Sequence, residues 1–123
     1  MGHAFEPLSG DILAAAVDVH TELGPGFLES IYENALHVAP RHNGIVYETQ
    51  KDITIFFRGE KVGTHRLDLV AERQIVVEIK AIKALEDIHF AQLKSYLKAT
   101  KLHVGLLINF NEPKLVAKRV VLS

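Results

Sequence analysis

The stretch QIVVEIK, residues 74–80, combines apolar, mainly β-branched residues with the charged Glu78 and Lys80. Its β-branched residues predict a buried strand, and the period of a strand places Glu78 and Lys80 on the same face. For an isolated tripeptide, two opposite charges on one face most often form a solvated ion pair. The segments around this stretch must therefore decide between an inert ion pair and a chemical site.

Strand patterns lie on both sides of this stretch. Before it, IVYETQ (45–50), DITIFFRG (52–59) and KVGTHRLDLV (61–70) are rich in β-branched and aromatic residues. The polar breaks RGEK and AER predict hairpin turns and hence an antiparallel meander. After it, HVGLLINF (103–110) predicts a strand covered on both faces, and KLVAKRVVL (114–122) predicts an edge strand.

Three segments have helical spacing. The first starts near Leu8, with Ser9 as a candidate cap, and ends at GPG (24–26). The second, FLESIYENALHVA (27–39), stops at Pro40 and places five apolar residues on one face: Leu28, Ile31, Tyr32, Ala35 and Ala39. The third is EDIHFAQLKSYLKAT (86–100), with a stripe of Phe90, Leu93 and Leu97. These helices and strands together predict a single α/β domain.

Composition describes an ordinary globular chain. Its 123 residues are expected to form one domain, 1–123, in which residues 1–7 are a loose N-terminal segment. The formal net charge is -1, and the absence of cysteine excludes disulfides and thiolate zinc sites. No apolar run is long enough to span a membrane and the start does not resemble a signal peptide, so we expect a cytoplasmic location and no membrane partner.

The acidic residues point to a metal site. A hairpin at Glu72 and Arg73 folds RLDLV back on VVEIK and brings Asp68 close to Glu78, beside Lys80. Two carboxylates at that separation repel each other unless a cation lies between them. The arrangement is therefore either strained or a site for a hard divalent ion, and Mg²⁺ suits it because that ion takes one or two carboxylates.

The helices offer further candidates, each with a simpler alternative. Gln92 and Tyr96 form an i,i+4 pair that could border the site or could be surface and packing residues. Glu29 could be a third carboxylate or a first-turn acid that complements the helix dipole. Lys94, Lys98 and Lys101 could follow a phosphate backbone, although a solvated helix face is the simpler interpretation. The seven histidines show no metal-ligand spacing.

Several of these segments match a known pattern in order. GFLESIY (26–32) reads G-x-x-E-x-x-Y, and RLDLV, VVEIKA, HFAQLKSYLKAT and VGLLINF follow it. The chain resembles the small prokaryotic GxxExxY proteins, a branch of the PD-(D/E)XK nuclease superfamily, over nearly its whole length. One departure is Leu67, which stands where the superfamily name has Pro. Pro40, where a longer helix would be expected, is another.

The resemblance implies a central mixed sheet flanked by helices, with a restriction-endonuclease-like α-β-β-β-α-β core. It also implies that Asp68, Glu78 and the backbone carbonyl of Ile79 hold Mg²⁺ or Mn²⁺. Lys80 would then position the attacking water. Gln92 and Tyr96 match the Q-x-x-x-Y motif of some branches, and Glu29 matches an acidic residue from an early helix, which makes all three supporting catalytic residues.

Two functions remain open from the sequence. The first is a Mg²⁺-dependent nuclease that hydrolyses phosphodiester bonds, with DNA favoured over RNA as substrate. The alternative is a non-catalytic nuclease-like module that binds nucleic acid or a protein partner, or forms a homodimer, and the near-neutral charge favours it. Tight binding to a polyanion would require a local basic patch, for which the candidates are Lys80, Lys83, Lys94, Lys98, Lys114, Lys118 and Arg119.

Overall fold

The strand patterns form a mixed five-stranded sheet in a computed structural model, which describes residues 6–39 and 44–122. Within these residues, α1, α2 and α3 span Glu6–Leu23, Glu29–Val38 and Asp87–Thr100. Strands β1 to β5 span Tyr47–Phe57, Glu60–Ala71, Ile75–Lys80, Val104–Asn109 and Val116–Val121. The predicted α/β fold is confirmed, and α2-β1-β2-β3-α3-β4 supplies the α-β-β-β-α-β core.

The strands lie in the order β1-β2-β3-β4-β5. Both predicted hairpins are present, and positive φ angles of 50° at Arg58 and 80° at Gly59 mark the turn between β1 and β2. Strands β3 and β4 are parallel because the chain crosses over through α3 between them. Strand β5 pairs antiparallel with β4 at the edge of the sheet, as the sequence predicted.

Helices cover both faces of the sheet, and each face has its own core. Helices α1 and α2 pack through Ile12, Ala16, Tyr32 and Leu36 on one face, which we call the α1–α2 face. Helix α3 packs through Leu93, Tyr96 and Leu97 on the other, the α3 face. Strands β3 and β4 are buried along nearly their whole length, because both faces of the sheet are covered there.

Strand β1 differs from the prediction of two strands, 45–50 and 52–59. It runs unbroken from Tyr47 to Phe57, and pairing with β2 continues on both sides of Gln50. The polar residues around Gln50 do not end the strand, because Gln50 takes a left-handed conformation with φ of 49° and the ladder resumes at Lys51. The result is a local irregularity inside one long strand.

Two expectations about the first helices are wrong. Ser9 is a buried residue inside α1, which starts at Glu6, so it caps nothing. The predicted apolar face of α2 is wrong in part: Leu28, at the N-cap, and Ile31 are 75% and 40% exposed. Tyr32 is buried as predicted, and α2 packs through Tyr32 and Leu36.

The Tyr32 ring explains this orientation of α2. It stacks on Phe110 at a centroid distance of 4.5 Å, and its hydroxyl donates a 2.6 Å hydrogen bond to the Gly24 carbonyl. Both contacts hold this side of the helix against the sheet. Helix α1 includes Glu6 and Pro7 of the segment expected to be loose, whereas residues 1–5 and Pro40 lie outside the described residues. In the parts of the chain that are described, no helix is long and apolar enough to cross a membrane.

Candidate functional site

The site forms where β2 and β3 separate. Their backbone pairing covers three residue pairs and ends at Leu69 opposite Val77. One step further, the Asp68 N–H donates to the Glu78 carboxylate at 3.1 Å, and the Ile79 N–H donates to the Asp68 carboxylate at 2.9 Å. Each acidic side chain thus accepts a hydrogen bond from a backbone N–H of the opposite strand. These two bonds fix the carboxylates side by side.

This position is electrostatically unfavourable for two negative charges. Glu78 is only 4% exposed, and burial, followed by repulsion from Asp68, raises its carboxyl pKa from 4.5 to about 8. Burial also raises the pKa of Asp68, with repulsion from Glu33 and Glu29 adding to the effect. The amide donor of Ile79 and the ammonium of Lys80 offset only part of this rise. A cation between the two carboxylates would remove the penalty.

Helix α3 brings two more predicted residues to the same place. It starts after Glu86, whose N–H donates to Nδ1 of His89 at 2.9 Å. Gln92 is exposed, and its Oε1 accepts a 3.4 Å hydrogen bond from the Lys80 ammonium. The Tyr96 ring is 7% exposed, and burial followed by the charges of Glu78 and Asp68 raises its hydroxyl pKa.

Glu29 reaches the site from the other face of the sheet. It is the first residue of α2, and its carboxylate accepts a 3.4 Å hydrogen bond from the N–H of Ala81, directly after Lys80. Its charge raises the pKa of both Asp68 and Glu78. This position combines the two interpretations of Glu29, because a first-turn carboxylate complements the helix dipole and also faces the acidic pair.

Ile79 contributes through its backbone. Its side chain is fully buried in the core under α1 and α2, and its N–H donates to the Asp68 carboxylate. The role of its carbonyl as a metal ligand stays a prediction. All seven predicted residues therefore lie on β2, β3 and the two helices next to the point where the strands separate.

Sequence reasoning missed Glu33 and Gln50. Glu33 is 7% exposed, and the Gln50 amide nitrogen donates to its two carboxylate oxygens at 3.1 and 3.2 Å. Gln50 lies between the residues that pair with Leu67 and Leu69, so it stands across the hairpin from Asp68. Glu33 follows Glu29 by one helical turn, a spacing that could have identified it.

His65 is a third missed neighbour of the site. Its ring meets the Tyr96 ring edge-on at a centroid distance of 4.7 Å, and its Nε2 lies 3.0 Å from Oγ of Ser95. These contacts tie β2 to α3 on the side of the acidic pair. No spacing in the sequence links residue 65 to residues 95 and 96, so this contact could come only from the fold.

The side chains fit a hard divalent ion that keeps several waters. Asp68 and Glu78 are a pair of oxygen donors whose negative charge is only partly compensated by the neighbouring protein groups, which matches the one or two carboxylates that Mg²⁺ takes. In the described segments 6–39 and 44–122, no group of three or more His, Asp or Glu side chains is arranged to hold a metal. The pair thus suits a metal shared with substrate oxygens better than a closed protein cage.

Comparison with known proteins finds a matching family model and matching solved structures. A family model described as the PD-(D/E)XK nuclease superfamily matches residues 6–120. A solved structure titled "Crystal structure of SSO0001" superposes with a TM-score of 0.60 at 22% sequence identity, covering 95% of this chain and 59% of that chain. This chain therefore spans about three fifths of the length of that relative, and the similarity concerns the fold. None of the curated proteins matches significantly.

Proposed function

The chain belongs to the PD-(D/E)XK nuclease superfamily, and on this premise we propose that it hydrolyses phosphodiester bonds of nucleic acid with the help of Mg²⁺ or Mn²⁺. Superfamily membership supports a nuclease-like function. The proposal adds the metal requirement, the catalytic residues and a preference for DNA over RNA. Assignment to the GxxExxY branch and a cytoplasmic location likewise remain proposals.

One observation carries the proposal. Asp68 and Glu78 exchange backbone donors across the two strands, so both carboxylates are fixed in one place although burial and mutual repulsion oppose it. A packing role does not require a buried carboxylate beside a half-buried one at this point. The free-energy cost of placing these carboxylates together is explained if they hold a divalent ion. When bound, that ion would activate water and stabilise negative charge on the phosphoryl group.

The other residues then have distinct roles. The Lys80 ammonium hydrogen-bonds to Gln92 at 3.4 Å, so Gln92 orients it toward the acidic pair, where it would position water and offset charge that develops on phosphate oxygens. Tyr96 excludes solvent from one side, since its ring is buried against His65. Glu29 hydrogen-bonds to the backbone after Lys80 and would hold the end of β3 in place.

A cleavage panel tests this function. Linear duplex, single strand, branched DNA and RNA would be incubated with Mg²⁺ or Mn²⁺ and with wild type, Glu78→Gln or Lys80→Ala, all purified identically. We expect cleavage by wild type that both variants lose. Equal traces in all three proteins would indicate a contaminant and would contradict the proposal.

A non-catalytic module is the second candidate, and the net charge of -1 favours it. This alternative includes a homodimer or a complex with a protein partner. Calorimetric titration of Mn²⁺ into wild type and Glu78→Ala separates the two functions. Binding that the variant loses supports the metal site, whereas no binding to either protein would favour the module.

A further inference from the structure

The charges of this chain are segregated along its sequence, although they nearly cancel in sum. From Met1 to Ala39 the sequence has no Lys or Arg, and its six acidic residues are Glu6, Asp11, Asp18, Glu22, Glu29 and Glu33. From Asp87 to Leu122 the balance is reversed. That segment has only Asp87 and Glu112 as acids, against six bases: Lys94, Lys98, Lys101, Lys114, Lys118 and Arg119.

The fold converts this asymmetry along the sequence into an asymmetry in space. The acidic segment forms α1 and α2, which pack on the α1–α2 face of the sheet. The basic segment begins with α3, which covers the other face. A polyanion that approaches the α1–α2 face meets carboxylates from two helices without a lysine or arginine among them. The near-neutral net charge therefore conceals helices of opposite charge balance on the two faces of the sheet.

Four exposed lysines belong to the α3 side of the sheet. Lys94 and Lys98 lie on α3, and Lys101 directly follows it. Lys118 lies on β5 opposite Leu107 of the α3 core, and it shares the strand face of Val120, which packs in that same core. Among the described residues, none of the four forms a salt bridge; the two that are present join Lys51 to Glu48 and Arg66 to Asp52.

Residues of the candidate site lie on the same side. Lys80 and Gln92 are joined by their hydrogen bond across β3 and α3, and Tyr96 packs in the α3 core. Lys94 and Lys101 are separated by about 10 Å along the helix axis, and a helix is only about 10–12 Å wide. A nucleic-acid backbone that reaches the acidic pair from this side can therefore contact the lysines on the other flank of α3.

We propose that the α3 face is the nucleic-acid-binding surface, where Lys94, Lys98, Lys101 and Lys118 contact the phosphate backbone and the α1–α2 face points away from it. This inference rests on the proposed function, and it names the surface that the function needs. The net charge of -1 does not argue against this surface, because binding depends on the local density of unpaired cations and on the counterions that they release.

Adjacent residues on β5 provide a matched test. Lys118 and Arg119 are both exposed, but Arg119 pairs with Leu106 of the opposite core and so points to the α1–α2 face. Lys118→Gln and Arg119→Gln therefore remove one charge each from the two sides of the same strand. Binding to a fluorescein-labelled DNA duplex would be measured by anisotropy in EDTA at several KCl concentrations, with circular dichroism to verify the fold.

We expect Lys118→Gln to weaken binding severalfold and to reduce the slope of log K against log salt by about 0.9, the value for one lost phosphate contact. Arg119→Gln should leave the slope unchanged. A Lys94→Gln, Lys98→Gln, Lys101→Gln triple variant should lose about 0.9 per lysine that contacts phosphate. If Lys118→Gln and Arg119→Gln have equal effects, or if the triple variant binds like wild type, the α3 face is not the nucleic-acid-binding surface.

The same proteins separate this failure from failure of the proposed function. In one outcome, wild type binds metal and cleaves DNA while its affinity for the duplex does not depend on the four lysines. This result would contradict only the proposed binding surface. Duplex binding that depends on the lysines, without binding of Mn²⁺, would support the proposed binding surface and contradict the proposed metal-dependent hydrolysis. A wild type that binds neither duplex nor metal contradicts both.

Discussion

At the scale of single residues, two side chains replace backbone carbonyls as hydrogen-bond acceptors. Asp68 and Glu78 accept the amide hydrogens that a regular ladder would direct to strand carbonyls. Their carboxylates are thereby fixed where burial and mutual repulsion disfavour ionisation. The pH dependence of stability is the direct consequence of this arrangement.

The first prediction concerns Glu78. Because its pKa rises from 4.5 to about 8 on folding, the metal-free native state holds a proton that the unfolded chain releases. Its contribution to the free energy of unfolding is therefore highest below about pH 4.5 and declines as the pH rises to about 8. Urea denaturation across this range should show the decline in wild type. Glu78→Gln cannot ionise and should lack this component, so parallel pH profiles of the two proteins would contradict the prediction.

The second prediction concerns Tyr47. Burial raises its hydroxyl pKa to about 12, and its oxygen is buried with no hydrogen-bond partner among the described residues. Tyr47→Phe should raise the free energy of unfolding by about 1 kcal/mol, because the desolvation cost disappears and no bond is lost. Tyr32→Phe is the control, since the Tyr32 hydroxyl has two partners, Gly24 and Phe27, and its removal should destabilise. Urea denaturation compares the two; destabilisation by Tyr47→Phe would refute this account.

At the scale of elements, α3 links the site to the sheet. Leu93 is fully buried and lies next to Gln92, and Tyr96 follows it by one turn of the helix. Under Leu93, β4 has Gly105, where a Cβ atom would come within 2.8 Å of Leu93 Cδ1 and 3.0 Å of Cγ. The distance between this helix and the sheet thus depends on the absence of one methyl group.

The third prediction follows from this contact. Gly105→Ala should force α3 away from β4, lower the free energy of unfolding by about 1–3 kcal/mol, and reduce cleavage by displacing Gln92 and Tyr96. Gly63→Ala is the matched control, since Gly63 also lies in a strand and has no atom within 4 Å of a Cβ. Chemical denaturation and the cleavage rate would be measured for both variants. If they behave alike, close packing of α3 does not set the site.

The elements were predictable to different degrees. The β-branched run identified β3, the nearly all-apolar run identified β4, and the helical spacing of Phe90, Leu93 and Leu97 identified α3. The unbroken β1 was missed, since polar residues near Gln50 resemble a turn and only tertiary contacts, including the bond to Glu33, hold them in a strand. Burial of Tyr32 was predicted, but the exposure of Ile31 was not, because the orientation of α2 depends on stacking of Tyr32 on Phe110, which is distant in the sequence.

At the scale of the whole molecule, the sheet separates two cores and two electrostatic environments. The local pattern predicted that Asp68, Glu78 and Lys80 would meet, because a short hairpin joins their strands. It could not predict Gln50 and His65, which reach the site from elements that lie far apart in the sequence, and Glu33 could be identified only through its one-turn spacing from Glu29. Long-range packing therefore completes a site whose centre is local.

The fourth prediction concerns metal and stability together. A divalent ion must compete with the proton on Glu78, so Mg²⁺ or Mn²⁺ should raise the melting temperature more at about pH 8 than well below the raised pKa of about 8. At a metal concentration of about 100 times Kd the stabilisation is about 2.7 kcal/mol. Differential scanning fluorimetry at several metal concentrations measures it. Asp68→Asn should abolish the shift, and the same shift in that variant would locate the ion elsewhere.

The crossed bonds of Asp68 and Ile79 also give the protein two built-in spectroscopic reporters. Their amide protons sit on different strands, yet each is bonded to the carboxylate that belongs to the other strand. In a proton–nitrogen correlation spectrum, an ion that binds between the two carboxylates should shift both resonances together, with matching titration midpoints. Occupancy of the site could then be followed without a substrate, a label or a turnover assay.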